Sequence, residues 1–449
     1  MNFYIFLSIV IVCSSFLNAQ ENATKATCAS DPISCVEILE LIADLQQSVT
    51  SCCANLNTCL QETNSLLNTI ETPTTCDISV VIRQTDMPLT ITASGHYCLS
   101  EPVVGSITID ADNVLINLNG YKISGGLSDN IVAVGHSGIS ICNGICGNAA
   151  SSGNGVYLQT CTTVAIFNVN FQESETACRF DNVQNLLLQD CSFVEHVGDT
   201  EGVLIFENNT QDGKIASCQL YNSTRTDVTN YDTIYVDGCS NLSFINVYIQ
   251  NSYAPNGSSF AGMFGLRNQT SNCLFDKCCA LNAIGTNYNG FYLNNVSSTS
   301  CFNCIAQEIA SNGFSTDNNC DDIVVQNCLV SNAQNNGINF LGALYCYAEN
   351  TIVKNCSTGF NFSSSNNYIA NNTAMSCTGR GFNITGGTFG VFFVGNYAEN
   401  NGINYANFPA TYSITTFETS GAGAGTFTRN AGGGLATPTD WDNISIVHN

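Results

Sequence analysis

The sequence predicts an all-β chain wound as a single-stranded right-handed parallel β-helix, a solenoid, preceded by an α-helical segment with coiled-coil character. Three observations lead to this reading. Short alternations of apolar and polar residues, such as Ile107-Thr108-Ile109 and Val114-Leu115-Ile116-Asn117-Leu118, fill the chain and are broken by Asp-Asn and Asn-Gly turns. A turn dipeptide behind an apolar strand recurs at a spacing of about 21 to 32 residues, the period of a solenoid with variable loops. Charge is scarce, as expected where equivalent residues of successive coils lie over one another and like charges in a column would repel.

The chain begins with an apolar run from Phe3 to Leu17 and the small-residue site Leu17-Asn18-Ala19, which reads as a signal peptide over 1–19. Its apolar core is shorter than a membrane span. Removal of that segment takes away Cys13 and leaves an even number of cysteines, consistent with an oxidising compartment. The expected location is therefore secreted, cell surface or virion surface.

A linker over 20–32 leads to a helical segment over 33–70. Ile38, Ile42, Leu45, Val49, Cys52, Leu56, Cys59, Thr63, Leu66 and Ile70 follow alternating steps of four and three, a heptad seam. Such a seam joins copies of the chain through residues 38–70, with Cys52 and Cys59 as candidate disulfide positions; the alternative is an amphipathic helix folded back to cap the solenoid's open end. A linker and cap over 71–90 follows.

The β-helix is placed over 91–402. Its turn anchors are Asn168-Val169, Asp190-Cys191, Ser217-Cys218, Asn246-Val247, Cys278-Cys279, Asn303-Cys304, Asn327-Cys328, Asn355-Cys356 and Ser376-Cys377. Cys191, Cys218, Cys304, Cys328, Cys356 and Cys377 are expected as one column of small buried hydrophobes, a core ladder, and not as disulfide halves. The bridges expected are Cys76 with Cys98 at the start of the repeats and Cys142 with Cys146. A column of Asn at a turn can pass side-chain amide hydrogen bonds along the stack. The segment over 403–449, with Gly421-Ala422-Gly423-Ala424-Gly425, Gly432-Gly433-Gly434 and the single Trp441, reads as a Gly-rich C-terminal cap or attachment tail.

Composition narrows the function. Of 449 residues only 10% are charged, with 11 Lys and Arg against 35 Asp and Glu, for a net charge of −24. Nucleic acids and anionic membranes repel such a surface. The motifs SGHYCL and ITIDADNVLINLNGYKISGG, followed by NGVYL, GFYLNN and GFSTDNNC, resemble the right-handed parallel β-helix repeat proteins of the pectin-lyase-like superfamily over roughly Ile91 to Gly402. That resemblance implies fold more than activity, because its members include polysaccharide lyases and hydrolases as well as tailspikes and adhesins.

Asp317, Asp321 and Asp322 in STDNNCDDIVVQNC are the candidate catalytic acids, since polygalacturonase-like β-helices flank the scissile bond with acids from Asn-Thr-Asp and Asp-Asp motifs. Here the acids fall in one coil, no Arg-x-Lys element follows, and His136 lies far upstream, so a plain turn is the competing reading. A lyase would need a clustered calcium site and a basic residue, and Lys214, Arg225, Arg267, Lys277, Lys354 and Arg380 share no motif. Cys52-Cys53 with Cys59, and Cys301 with Cys304, lack the second pair of a zinc site. No metal or cofactor is implied. Tyr248, Tyr253, Tyr288 and Tyr292 are candidate sugar-stacking residues. Sequons include Asn22, Asn208, Asn222, Asn241, Asn256, Asn268, Asn295, Asn361 and Asn383, of which those in loops could carry sugar, and another at Asn355 falls in the turn column, where a glycan would break the stack. The function expected is a structural, adhesive or glycan-binding element of a fibre or spike, its partners further copies of itself and extracellular glycans; the alternative is a polysaccharide-degrading enzyme.

Overall fold

The computed structural model describes residues 79–125, 129–147, 153–198, 202–225, 232–254, 261–384, 391–406, 414–419 and 444–446. All belong to the second of two compact units, Asp77–Asn449. The signal peptide, the helical segment with Cys52 and Cys59, Cys76 and Trp441 lie outside the described residues.

One coil shows how local chemistry builds the fold. The strand Phe314–Asp317 ends at Asn318 and Asn319, which both take the left-handed conformation. Cys320–Gln326 then runs to Asn327, Leu329–Ser331 to Asn332, and Asn336–Phe340 starts the next coil. Asn327 and Asn332 also have positive φ. Asn tolerates this conformation better than other residues with a Cβ, so each strand is terminated by a residue suited to a one-residue corner.

Repetition of this path stacks the strands in parallel. Two strands of a coil enter a 29-stranded sheet and the third enters a 14-stranded sheet, here called the wide and the narrow sheet. The chain is thus an all-β parallel β-solenoid of about 11 turns. Inward residues alternate with outward ones along each strand. The inward set includes the stacked rings Phe264, Phe291 and Phe314, with centroids 4.7 and 4.4 Å apart. Phe244 and Phe275 form a second stack at 4.8 Å, and Phe275 meets Phe264 edge-on at 77°. Two ring columns from different sheets therefore interlock at the axis, and all five rings are buried.

The cysteines follow the corners. Cys191, Cys218, Val247, Cys278, Cys304 and Cys328 succeed one another behind the second corner, in the register Ser192–Gln219–Tyr248–Cys279–Ile305–Leu329 of the residues that follow them. Thr351 and Asn372 continue this column. Cys356 and Cys377 do not belong to it. They stand behind the third corner, above Ile309 and Ala333, which corrects the expectation of one shared ladder. The cause is chemical. Both corners use Asn followed by a small buried residue, so the repeat read from Asn327-Cys328 to Asn355-Cys356 passes over Asn350-Thr351. The anchor at Cys278-Cys279 was likewise one residue late, because Lys277 holds the left-handed corner there.

Cys142 and Cys146, expected as a bridge, are free thiols. They share the strand Ser137–Gly147 but lie on either side of the left-handed corner at Asn143. Cys142 is the register partner of Asn117 and Phe167, and Cys146 of Ile123 and Phe171, so they occupy separate columns. Cys98 is disulfide-bonded, and its expected partner Cys76 lies outside the described residues.

Asparagine ladders run beside the core. At the third corner Asn282 Nδ2 donates to Asn251 Oδ1 at 2.7 Å, and Asn251 Nδ2 to Asn222 Oδ1 at 3.0 Å. At the start of the narrow-sheet strands Asn336 donates to Asn312 at 2.8 Å and Asn312 to Asn289 at 2.9 Å. Each amide supplies a donor on one side and an acceptor on the other, so a column leaves few polar atoms unpaired without introducing charge.

The stack extends past the boundaries expected. Val80–Ile82 pairs with Gly95–Leu99, so strands begin within the region read as linker and cap. Beyond 402, Ile403–Ala406 joins the narrow sheet, and Ile414–Thr419 and Ile444–Ile446 join the wide one.

Candidate functional site

The densest polar chemistry lies on the outward face of the narrow sheet. Phe264 and Leu266 point into the core, so Gly265 and Arg267 between and beyond them point out. Along the stack the Arg267 position is held by Gln159, Asp181, Glu207, Asp237, Arg267, Asn294 and Asp317 in successive coils. Two residues earlier on each strand stand Tyr157, Arg179, Ile205, Tyr235, Gly265 and Tyr292. Ser315, Asn339, Asn361 and Asn383 continue that second column.

At the centre of this face is a buried ion pair. The Arg267 guanidinium donates to Asp232 Oδ2 through Nε at 2.8 Å and approaches it through Nη2 at 2.7 Å. Its carbon lies 5.6 Å from the Tyr235 ring and 5.5 Å from the Tyr292 ring, so two aromatic faces enclose the cation. Asp232 also accepts the Gly262 backbone N–H at 2.7 Å. Burial opposes the charge on Arg267, but the Asp232 carboxylate outweighs it and keeps the guanidinium firmly protonated.

The two tyrosines pass the polar chain to the acidic column. The Tyr235 hydroxyl donates to Asp237 at 2.8 Å and the Tyr292 hydroxyl to Asp317 at 3.3 Å. Burial pushes the Tyr292 phenol up, and the nearby Asp317 carboxylate adds to that shift. Further along, Arg179 makes a two-point contact with Glu207 at 2.6 and 3.0 Å. Gln159 and Asn208 donate to the two oxygens of Asp181 at 2.8 and 2.9 Å.

Of the candidate acids, only Asp317 belongs to this face. Asp321 and Asp322 lie beyond the corner at Asn318 and Asn319, exposed on the wide-sheet strand Cys320–Gln326, and Asp322 itself has positive φ. The chain turn that carries the Asp-Asp pair thus takes it off the face that holds Asp317. His136 sits in another coil, 3.3 Å from Asp112 and 3.4 Å from Asp110. The Ser137 backbone N–H, and then His136, hold the Asp112 carboxyl below its ordinary range. Cys301 and Cys304 are both buried core residues.

The tyrosines expected as exposed platforms divide. Tyr253 is exposed and Tyr248 half-buried, whereas Tyr288 and Tyr292 are buried. The Tyr288 hydroxyl is bonded to Thr233 at 2.7 Å, in a buried hydroxyl chain that continues through Ser252 to Ser223. Several sequons are also in use: the Nδ2 atoms of Asn208, Asn241, Asn361 and Asn383 donate to Asp181, Asp212, Asn339 and Asn361. Asn208 lies in a bend, whereas Asn241, Asn361 and Asn383 lie within strands.

No protein-family model matches the chain, and a comparison with curated proteins found no match. Solved structures with a similar fold include the periplasmic alginate epimerase AlgG, at 9% identity and a TM-score of 0.40, covering 72% of this chain and 75% of that one. PfbA, a surface adhesin of Streptococcus pneumoniae, is similar at 12% identity and a TM-score of 0.35, over 70% of this chain and 83% of that one. An alginate lyase from Paenibacillus sp. str. FPU-7 is similar at 11% identity and a TM-score of 0.26, over 74% of this chain and 98% of its own. These likenesses concern the fold.

The sequence reading missed the Arg267 cluster because its members look unrelated in the chain. Asp232 and Arg267 are 35 positions apart. The available signal was Gly265, a glycine between two buried apolar residues of a strand. It also missed an exposed aromatic column on the wide sheet, where Tyr347, Tyr368 and Phe392 are register partners. Tyr368 and Phe392 stack at 4.9 Å, so their faces cover each other and mainly edges meet solvent.

Proposed function

We propose that the chain is an extracellular, displayed β-helix that binds glycans along the outward face of the narrow sheet, as the adhesive or binding element of a fibre or spike. The observation that carries this reading is the column Gln159, Asp181, Glu207, Asp237, Asn294 and Asp317, half-buried acceptor side chains in successive coils interrupted only by Arg267. Carboxylates and amides in a row accept hydrogen bonds from sugar hydroxyls, and a row at strand spacing suits a polymer more than a single small molecule. The sign of the charge selects the polymer. With Arg179 and Arg267 engaged by Glu207 and Asp232, the face repels polyuronates and favours neutral glycans.

The test is retention of the purified chain on immobilised neutral and uronate polysaccharides, with Glu207→Gln and Asp237→Asn as probes. Retention on a neutral glycan, weakened in both variants, supports the proposal; binding only to polyuronates, or to none, overturns it.

A second reading, a polysaccharide-processing enzyme, is favoured by the contact of Tyr292 with Asp317 beside Arg267, which places a phenol, a carboxylate and a cation together. Release of reducing ends or unsaturated products, lost in Asp317→Asn, would replace binding by turnover. Self-association through residues 38–70 remains part of the proposal, because a displayed fibre element gains avidity from several copies.

A further inference from the structure

Behind the second corner, cysteines of neighbouring coils lie in register. Cys191 and Cys218 are register neighbours, with the Gln219 N–H donating to the Cys191 carbonyl at 3.0 Å. Cys278, Cys304 and Cys328 succeed one another in the same way, through the N–H of Ile305 and of Leu329, each at 2.9 Å. Each thiol reaches carbonyls of two coils: Cys218 donates to Leu188 of the preceding coil at 3.7 Å and to Ala216 of its own at 3.4 Å, Cys304 to Phe275 at 3.6 Å and Phe302 at 3.3 Å, and Cys328 to Cys301 at 3.4 Å and Gln326 at 3.3 Å. The Cys218 thiol therefore has Cys191 as its neighbour one coil away, and the Cys304 thiol has Cys278 on one side and Cys328 on the other.

Adjacent strands of a sheet lie about 4.8 Å apart. A disulfide bridges Cα atoms separated by about 4.4 to 6.8 Å. Thiols one coil apart and in register therefore meet the reach of a bridge with only local adjustment. Cys356 and Cys377 supply a contrast within the same fold. They too are register neighbours, but each thiol is bonded to backbone carbonyls, those of Lys354 and Met375 at 3.4 and 3.6 Å, and not to the other thiol.

We propose that Cys191 with Cys218, and Cys304 with either Cys278 or Cys328, are inter-coil disulfide sites that close while the chain folds in the presence of a disulfide donor. The donor is a small disulfide such as oxidised glutathione. The Cys218 thiolate attacks one donor sulfur, the donor S–S bond breaks, and one donor thiol leaves. The Cys191 thiolate then attacks the Cys218 sulfur of the mixed disulfide and releases the second donor thiol. The protein loses two electrons and two protons, and the donor gains both. Timing follows from burial: these thiols are enclosed once the coils stack, so exchange belongs to the folding chain. Closed in this way, a bridge ties one coil to the next where no single coil is stable alone.

The test is a disulfide map of the full chain refolded from denaturant in a mixture of reduced and oxidised glutathione, alkylated and digested without reduction. The expected products are peptides joined through Cys191 and Cys218, and through Cys304 and one neighbour, with Cys356 and Cys377 recovered as alkylated thiols. The oxidised form should also melt several degrees above the reduced one. Recovery of Cys191, Cys218 and Cys304 as alkylated thiols, or their pairing with cysteines of other columns, overturns the proposal. In Cys218→Ala, Cys191 should appear as a free thiol while the Cys304 link persists; a new link from Cys191 would count against register as the cause. Should that variant fail to fold, the map of the unaltered chain decides alone.

Discussion

Gly265 exists for Asp232. A Cβ at Gly265 would fall inside the Asp232 carboxylate, which occupies the place that a side chain takes in every other coil of that column. The space lets Asp232 reach Arg267 and the Gly262 N–H together, between the rings of Tyr235 and Tyr292.

Gly265→Ala is therefore expected to push Asp232 away and leave Arg267 as a buried, poorly paired cation, at a cost of about 3 kcal/mol or more. Asp232→Asn should cost a similar amount while leaving the backbone space untouched. Urea unfolding of both variants checks this. A loss below about 0.5 kcal/mol in both would show that the cluster contributes nothing to stability.

The ring column supplies a second measure. Phe291 lies stacked between Phe264 and Phe314 and is buried, so Phe291→Ala should cost about 3 to 5 kcal/mol. Phe392, exposed at the end of the outer aromatic column, should cost far less on the same substitution. Equal losses at the two positions would argue against the inward and outward assignment.

Alkaline pH should weaken the fold. Burial pushes the thiols of Cys142, Cys146, Cys273 and Cys356 up to about 12, and that of Cys377 to about 11. The folded chain thus binds these protons more tightly than the unfolded one. Their contribution is complete below the unfolded thiol pKa of about 8.5 and is lost as pH rises toward the folded values. Each such thiol adds up to about 1.4 kcal/mol per pH unit to the slope in that window. Stability measured by urea unfolding from pH 8 to 10 should fall, with a shallower slope in Cys356→Ala. A flat profile would contradict the enclosure of these thiols.

The heptad seam makes its own prediction. The full chain should migrate as a disulfide-linked oligomer on non-reducing gels, and as a monomer after reduction or in a variant carrying Cys52→Ser and Cys59→Ser. A monomer in every lane removes covalent association through 38–70.

Much of the architecture was legible in the chain because a solenoid is nearly one-dimensional. Alternation in strands such as Val114–Asn117, and corner residues such as Asn168, Asn303 and Asn327, are local signals that need no distant partner. Misplacement of Cys356 and Cys377 has an equally local origin, since two corners of each coil use the same Asn-then-small-residue chemistry. Boundaries were less legible: Val80–Ile82 carries no turn signal of the repeat, yet it pairs with Gly95–Leu99.

The sequence by itself determined that inward apolar residues alternate with outward polar ones, that corners carry Asn, and that charge stays low. Each of these follows from backbone preference and period-two geometry within a few residues. Only the tertiary structure decided which coil each corner belongs to, that Asp317 parts from Asp321 and Asp322, and that Asp232 meets Arg267. Those relations depend on register between strands and on the length of the intervening loops, so residues dozens of positions apart become neighbours only when the coils stack.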